Sequence, residues 1–328
     1  MVPADGEKGG LAALAKLKQQ HPHIRTLISI GGGSGSAEFP ALAASPDARA
    51  NFARHVKDFV DKWNFDGVDS NLPLFPFTPF PDPPVPPAKR RYQDTRANAP
   101  TVDWEHPSTP QQGQDYLSLL TSLRSVLPAP RYDLASALPT GEYVLKHIDL
   151  RALSSLLTHL NLMAYDFTGP WTKTAGHHAQ LYPNPSTAGC KSAAAGVEYL
   201  VRSGFPAQKI ILGIPAYAQC FKGVNAPGMP FDGKSKGACC AVEYHDLDAN
   251  CVRNATVCKQ TASASFVDEA GEESKGFMSF DVPETVRMKA RYVKENGLGG
   301  LFFWTGAGDR PAGCGESLVE AAFGELRR

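Results

Sequence analysis

Hydrophobic positions along this chain recur with two periods, one typical of helices and one typical of strands. Leucines at helical spacing, Leu11, Leu14 and Leu17, predict an amphipathic helix near the start. Short apolar runs bounded by glycine, proline or polar turns predict buried strands between such helices. The predicted strands span residues 26–30, 65–69, 132–137, 159–165, 209–213 and 299–304. Strands that alternate with helices favour a parallel sheet, which right-handed crossovers curl into a barrel.

Two later helices have apolar faces that predict core packing. The helix that precedes residue 65 is expected to bury one side. Its apolar side chains are Phe52, Val56, Phe59, Val60 and Trp63. The helix 283–296 has Pro283 in its first turn, where the missing N–H costs nothing, and aligns Val286, Ala290 and Val293 on one face. Residues 218–280 lack this periodicity and predict short strands with little helix.

One segment, residues 70–101, fits neither period. It contains nine of the 27 prolines, with Pro83-Pro84-Val85-Pro86-Pro87 at its centre. Proline has no N–H to donate to a sheet ladder, so the segment is not expected in a central strand. The composition predicts a disordered or polyproline-like excursion that interrupts one predicted strand.

Composition excludes two classes of partner. The 33 basic and 33 acidic residues balance, which argues against nucleic acid, because proteins that bind it carry a basic excess. No run of about 18 apolar residues is present, so the sequence predicts no membrane span. Residues 1–6 lack the apolar core of a secretory signal.

The cysteines and histidines predict no metal site. The pairs His177-His178 and Cys239-Cys240 are adjacent in the chain and have no partners at the usual zinc spacings. Five of the seven cysteines fall between residues 220 and 258. This clustering suggests local disulfides that involve Cys251 and Cys258, with free thiols as the equal alternative.

Two acidic pieces of sequence, 65–69 and 102–107, flank the proline-rich segment. Joined through one apolar residue, they read D-G-V-D-(apolar)-D-W-E, in which Asp69, Asp103 and Glu105 share one face of a strand. Neighbouring carboxylates on that face are about 6.6 Å apart in the strand direction. Their repulsion raises a pKa, which suits a general acid for glycosidic cleavage. A solvated acidic strand end or a metal site is the alternative.

The joined motif resembles the D-x-x-D-x-D-x-E motif of family-18 glycoside hydrolases, the chitinases. Three further stretches are similar to strands of that family, in the family's order: 26–32 resembles its S-x-G-G strand, 162–167 its M-x-Y-D strand and 299–304 its closing strand. The resemblance implies an α/β fold, a TIM-type (β/α)8 barrel that is incomplete because the first two strands are missing, with a small α+β insertion domain. The implied divisions are a catalytic barrel at 1–217 and 282–328, the excursion at 70–101 and the insertion domain at 218–281.

The resemblance also implies substrate-assisted retention, without any cofactor. Glu105 would protonate the glycosidic oxygen while the substrate's own acetamido oxygen attacks the anomeric carbon. Asp103 would orient the acetamido group, Asp69 would share a proton with Asp103, and Tyr165 would donate to the acetamido oxygen. The implied substrate-binding residues are Met163, Asp166, Trp171, Tyr217 and Trp304, the last as the floor beneath a sugar ring. Gln219 stands where relatives often carry arginine. The alternatives from the residues alone are a buried tyrosine with a satisfied hydroxyl for Tyr165, a core aromatic for Trp304 and a loop cap for Asp166.

Two classes of function remain open. One is an endo-acting chitinase, secreted and monomeric by resemblance, with an endo-β-N-acetylglucosaminidase as a close variant. The other is a non-catalytic chitin-binding or defective product. The presence of Glu105 favours the enzyme, whereas the interrupted motif favours a chain with little activity. Removal of 70–101 as an in-frame retained intron would restore an isoleucine between Asp69 and Asp103.

Overall fold

The computed structural model describes residues 10–31, 37–72, 107–184, 191–233, 239–269 and 274–328. The chain divides into two compact units, Met1–Leu134 and Ala135–Arg328. The first unit contains the predicted helices and strands that lead to the acidic motif, and the second contains the remaining parallel strands and a second sheet.

Unit 1 pairs two parallel strands and surrounds them with helices. Its elements are α1 (Gly10–Gln20), β1 (Leu27–Gly31), α2 (Phe39–Ala44), α3 (Pro46–Lys62), β2 (Gly67–Leu72), α4 (Pro110–Val126) and the start of β3 (Asp133–Pro139). Ser45 caps α3 by accepting a hydrogen bond from the Ala48 amide. Strand β2 runs close to the start of β3, and a Cβ at Gly67 would lie 2.0 Å from the Asp133 carbonyl oxygen. Only glycine fits where the two backbones approach this closely.

Some expected burial in unit 1 is wrong. Val56 and Val60 of α3 are buried, but Trp63 is 42% exposed. Trp63 is the C-cap residue of α3, where the helix ends, and its ring lies under the Lys62 ammonium at 5.3 Å. Helix α1 forms as predicted, yet none of its residues is buried. The apolar period therefore predicts which side chains share one face of a helix, but it does not predict how much of that face is buried.

Strand β2 extends three residues further than expected. It continues through residues 70–72, which the sequence assigned to the proline-rich excursion, and the first proline, Pro73, follows directly. Residues 70–72 keep their backbone donors, so they can remain in the ladder. Residues 73–106 lie outside the described residues, and with them most of the predicted excursion and two predicted catalytic residues, Asp103 and Glu105.

Within its described residues, unit 2 contains four parallel strands in the order β3, β4 (His159–Met163), β5 (Ile210–Pro215) and β11 (Gly300–Trp304). Leu138, Leu162 and Leu212 stand opposite one another across β3, β4 and β5, and all three are fully buried. The helices between these strands are α5 (Glu142–Leu145), α6 (Leu150–Leu156), α7 (Ala193–Arg202) and α9 (Pro283–Glu295), and α10 (Leu318–Leu326) follows β11. The predicted strands and the buried face of α9 are confirmed.

A second, antiparallel sheet follows β5 after one residue. Its five strands, in the order β7, β6, β10, β9 and β8, are β6 (Tyr217–Phe221), β7 (Cys239–Glu243), β8 (Thr256–Cys258), β9 (Ser263–Asp268) and β10 (Gly276–Phe280), with α8 (Ala249–Arg253) between β7 and β8. Ile214 of β5, Met278 of β10, Val286 of α9 and Leu318 of α10 share one buried apolar cluster. This cluster joins the antiparallel sheet to the last parallel strands.

The cysteines that the sequence suggested as a disulfide are free thiols. Cys251 lies in α8 near the charges of Asp248 and Asp268, whereas the Cys258 sulfur is hydrogen-bonded by Thr261. The two thiols therefore have different surroundings, and the alternative of free thiols is the correct one for both.

Candidate active site

The predicted binding residues of unit 2 lie at the carboxyl ends of its parallel strands. Met163 ends β4, Tyr165 and Asp166 follow it, and Trp304 ends β11. Tyr217 begins β6 two residues after β5 ends, and the Ala216 amide donates to the Trp304 carbonyl oxygen at 2.8 Å. Carboxyl ends of parallel strands meet at one edge, which is where barrels of this type place their chemistry.

Asp166 is held by two side chains of β6. Its Oδ1 accepts hydrogen bonds from the Tyr217 hydroxyl and from Gln219 Nε2, both at 2.9 Å. The backbone of Asp166 is left-handed, with φ of +57°. This conformation costs on the order of 1 kcal/mol for a residue with a side chain, and aspartate is one of the few that adopt it. Asp166 is therefore a positioned carboxylate, not a simple loop cap.

A histidine that the sequence did not place in the site lies against this carboxylate. His178 is fully buried, and its Nδ1 is 3.7 Å from Asp166 Oδ1. Its ring packs on Tyr217 with centroids 5.2 Å apart. The backbone fixes its position, because the Phe167 amide donates to the His178 carbonyl and the His178 amide donates to Ser279 Oγ. Within the described residues, neither ring nitrogen has a partner at hydrogen-bond distance.

The surroundings of Asp166 favour its charged form. Burial alone would raise the pKa of the carboxyl, but His178, Gln219 and Tyr217 outweigh it and lower the pKa below its usual value. The Asp166 side chain is still 36% exposed, so it remains accessible to a ligand. An ionised, partly accessible carboxylate can accept hydrogen bonds from sugar hydroxyls.

Aromatic residues occur at the same edge and on the loop that follows Asp166. The Tyr165 ring meets the rings of Tyr217 and Phe302 edge to face, each with centroids 6.2 Å apart. Trp304 and Trp171 are 48% and 54% exposed, so neither is a core aromatic. Large exposed rings give a ligand an apolar surface to pack on.

Trp171 reaches its place because Gly169 has no side chain. A Cβ at Gly169 would lie 2.5 Å from the indole ring. The local sequence Gly169-Pro170-Trp171 therefore lets the ring fold back over the backbone of its own loop. Substitution of Gly169 would displace the exposed indole.

A buried ion pair supports the segment that carries His178. Lys289 Nζ and Asp281 Oδ2 are 2.6 Å apart, and their side chains are only 1% and 2% exposed. Lys289 also donates to the Ala179 carbonyl at 2.6 Å, and Thr285 donates to Asp281. The one sequence signal for this pair was a lysine within the apolar face of α9.

His177, the neighbour of His178, is neutral under ordinary conditions. Burial, reinforced by the charge of His178, lowers the pKa of His177 to about 4. Its ring packs edge to face on Phe277 at 5.7 Å. The described residues contain no group of three or more histidine, cysteine, aspartate or glutamate side chains that could hold a metal ion.

The predicted catalytic carboxylates are only partly described. Asp69 is half-buried on β2 in unit 1, opposite Ser29 of β1. Asp103 and Glu105 lie outside the described residues. No helix among the described residues is long and apolar enough to cross a membrane.

Parallel strands alternating with helices, and a polar and aromatic site at the strand ends, define a protein of the α/β-barrel class. The sequence profile of Glycosyl hydrolases family 18 matches residues 3–71 and 101–309. The chain belongs to this family. The match skips residues 72–100, which fall within the proline-rich segment between Asp69 and Asp103.

Individual relatives agree with this assignment. Chitinase 1 of Aphanocladium album is 30% identical over 325 residues, which cover 96% of this chain and 68% of the relative. The class V chitinase from Nicotiana tobaccum, solved in complex with NAG4, has a TM-score of 0.74 at 23% identity and covers 96% of this chain and 84% of its own. The chitinase-like agglutinin from Robinia pseudoacacia has a TM-score of 0.72 at 21% identity, with 96% and 85% covered. The predicted fold class, a barrel of this family with an inserted sheet, is confirmed.

Proposed function

We propose that this chain descends from, and retains the site of, an enzyme that hydrolyses β-1,4 bonds between N-acetylglucosamine units of chitin. Residues 1–217 and 282–328 form the catalytic barrel in this proposal, and 218–281 form the inserted domain beside the cleft. Chitin lies outside cells, so the protein acts there. Chito-oligosaccharides are the ligands, and no metal or cofactor takes part.

The proposed reaction uses the substrate as its own nucleophile. Glu105 donates a proton to the glycosidic oxygen, and the acetamido oxygen attacks the anomeric carbon to form a cyclic oxazolinium ion. Asp103 stabilises that cation, while Asp69 shares a proton with Asp103. Tyr165 donates to the acetamido oxygen, an interaction that strengthens as charge develops. Water then opens the ring, and Glu105 recovers its proton.

The observation that carries the proposal is a positioned carboxylate at the strand edge that also carries an exposed indole. Asp166 has a left-handed backbone and accepts hydrogen bonds from the Tyr217 hydroxyl and from Gln219, and the exposed Trp304 ends a parallel strand at the same edge. Such an arrangement supplies both the hydrogen-bond acceptor and the apolar platform that a pyranose ring needs. The family profile also resumes at residue 101, so it includes the proposed acid Glu105.

Binding without catalysis is the second candidate. The unmatched residues 72–100 fall directly between Asp69 and Asp103. A long insertion there separates carboxylates that must act together within a few ångströms. A relative that is named as an agglutinin shares this fold. The prediction is that the 328-residue chain binds chito-oligosaccharides but hydrolyses them poorly, whereas a chain with 70–102 replaced by one isoleucine is the better enzyme.

Two assays on matched variants test both candidates. Release from a fluorogenic chitobioside is measured for the full chain, for the chain with the isoleucine replacement, and for Glu105→Gln in each. Retention on chitin beads is measured for the same four proteins. Activity that appears on replacement and disappears with Glu105→Gln supports the enzyme. Equal rates with and without residues 70–102 would refute the role of the insertion, and activity that survives Glu105→Gln would refute the assigned acid.

A further inference from the structure

Two cysteines lie opposite each other on β6 and β7, two neighbouring strands of the antiparallel sheet. Cys220 of β6 stands directly opposite Cys240 of β7 in the antiparallel register. Directly opposite residues in such a pair have Cα atoms about 4.5 or 5.5 Å apart. Disulfides span Cα separations of about 4.4–6.8 Å. The Cα separation of either kind of directly opposite pair therefore lies within the range that a disulfide spans.

The two thiols differ in access. Cys220 is 1% exposed, within the apolar cluster that β6 shares with β10 and α9, whereas Cys240 is exposed on an edge strand. A hydrogen bond from the Cys220 thiol lowers the pKa of Cys240 to about 7, against the opposing effect of burial and with help from Lys275 and Lys222. An exposed thiolate in positive surroundings is a reactive one, and a buried neighbour is suited to resolve it.

We propose that Cys220 and Cys240 are a reactive dithiol that small disulfides such as oxidised glutathione convert into a cross-strand disulfide. The Cys240 thiolate attacks one sulfur of oxidised glutathione, which breaks the glutathione disulfide and releases one glutathione thiolate. Cys220 then loses its proton and attacks the Cys240 sulfur, which releases the second glutathione. Two protein thiols and one oxidised glutathione give one protein disulfide and two reduced glutathiones.

The bond would act on the strand that holds the candidate site. Strand β7 is an edge strand of its sheet, and β6 also carries Tyr217 and Gln219, the donors to Asp166. Cys220 follows Gln219 directly, so its side chain points to the opposite face of β6. The disulfide would therefore fasten the edge strand to β6 without entering the cleft.

The full chain is the material for the test. It is incubated with oxidised glutathione, its remaining thiols are alkylated in denaturant, and it is digested with trypsin without reduction. We expect peptide 210–222 joined to peptide 237–253, and two fewer alkylated cysteines than in the untreated chain. Cys239→Ser should keep the linkage, because Cys239 stands opposite Phe221. Cys240→Ser should abolish it, and Cys220→Ser should stop the reaction at a glutathione adduct on Cys240.

Three results would overturn the proposal. The first is a glutathione adduct that persists on Cys240 in the unsubstituted chain, which would show that Cys220 does not resolve it. The second is a linkage that survives Cys240→Ser, which would assign the reaction to Cys239 or Cys251. The third is an equal number of alkylated cysteines with and without oxidised glutathione. Because Cys240 is exposed, its serine variant is expected to fold, and it decides the outcome even if the Cys220 variant does not.

Discussion

Replacing Lys289 by methionine tests the buried ion pair behind the candidate site. Methionine fills much of the space of the lysine stem but leaves Asp281 without its ionic partner and the Ala179 carbonyl without its donor. Both charged side chains are almost fully buried, so water does not screen them. Removal of one partner from such a pair costs about 3–5 kcal/mol. We expect a loss of this size in the free energy of unfolding.

The measurement is urea denaturation followed by tryptophan fluorescence, since Trp171 and Trp304 both lie in unit 2. Lys294→Met is the matched control, because Lys294 is on the same helix and exposed. The control is expected to change stability by less than about 0.5 kcal/mol. A loss below about 1 kcal/mol for Lys289→Met, or equal losses for both variants, would refute the assignment.

A double variant separates the charge from the packing. Burial lowers the pKa of Lys289, and the charge of Asp281 opposes that shift without reversing it, so either partner left alone would be a buried charge without compensation. Lys289→Met combined with Asp281→Leu should therefore be more stable than Lys289→Met alone. The difference between the two is the cost of leaving one carboxylate buried and unpaired. If the double variant is less stable than the single one, the charge is not the cause.

Three further substitutions test the site and the fold. Tyr217→Phe removes one donor to Asp166, so the pKa of that carboxyl should rise and the free energy of unfolding should fall by about 1.5–2 kcal/mol, the lower part of the range for charged acceptors because Asp166 is partly exposed. His177 is neutral when folded and binds a proton when unfolded between pH 6.5 and about 4, so stability should fall by up to about 3 kcal/mol as pH falls through that window, and His177→Gln should remove this slope. Gly67→Ala should destabilise the chain by more than about 2 kcal/mol because its Cβ would meet backbone at 2.0 Å, whereas Gly324→Ala in α10, with nothing near, should not.

Each of these three predictions has an outcome that would contradict it. The pKa of Asp166 is measured by NMR of its carboxyl carbon. If Tyr217→Phe leaves this pKa unchanged, the Tyr217 hydroxyl does not donate to Asp166 in solution. A pH slope that remains in His177→Gln would belong to another group, with His178, Asp281 and Lys289 as the charged neighbours. Equal denaturation midpoints for the two glycine variants would contradict the close approach of Gly67 to the Asp133 backbone.

The sequence predicted the repeating elements well because burial imposes a period that a single strand or helix displays locally. Strands β3, β4, β5 and β11 were found in this way, and so was the buried face of α9. The positions of Tyr165, Asp166 and Trp304 at strand ends followed from the same pattern together with the family resemblance. Local periodicity was thus sufficient to predict the strands and helices and the edge of the sheet at which the site lies.

Contacts between distant segments could not be predicted in that way. Tyr217 and Asp166 are 51 residues apart in sequence, and Lys289 and Ala179 are 110 apart. No period along either segment encodes which polar atom of the other will meet it. His178 was missed for this reason, since its dipeptide offered only a failed metal motif. Trp63 shows a different error. The apolar period of α3 includes Trp63, but the helix ends at Lys62, so the period no longer predicts burial at that residue.

The single residue that separates β5 from β6 has a consequence for engineering this scaffold. The Asp166 donors, Tyr217 and Gln219, belong to the opening residues of the antiparallel sheet, although they serve the neighbouring parallel one. A graft that exchanges this sheet for that of another protein must therefore place its junction after Gln219. A junction at Pro215 would replace Tyr217 and Gln219 together with the sheet. The resulting protein could have the new sheet correctly folded and still lack both hydrogen-bond donors to Asp166.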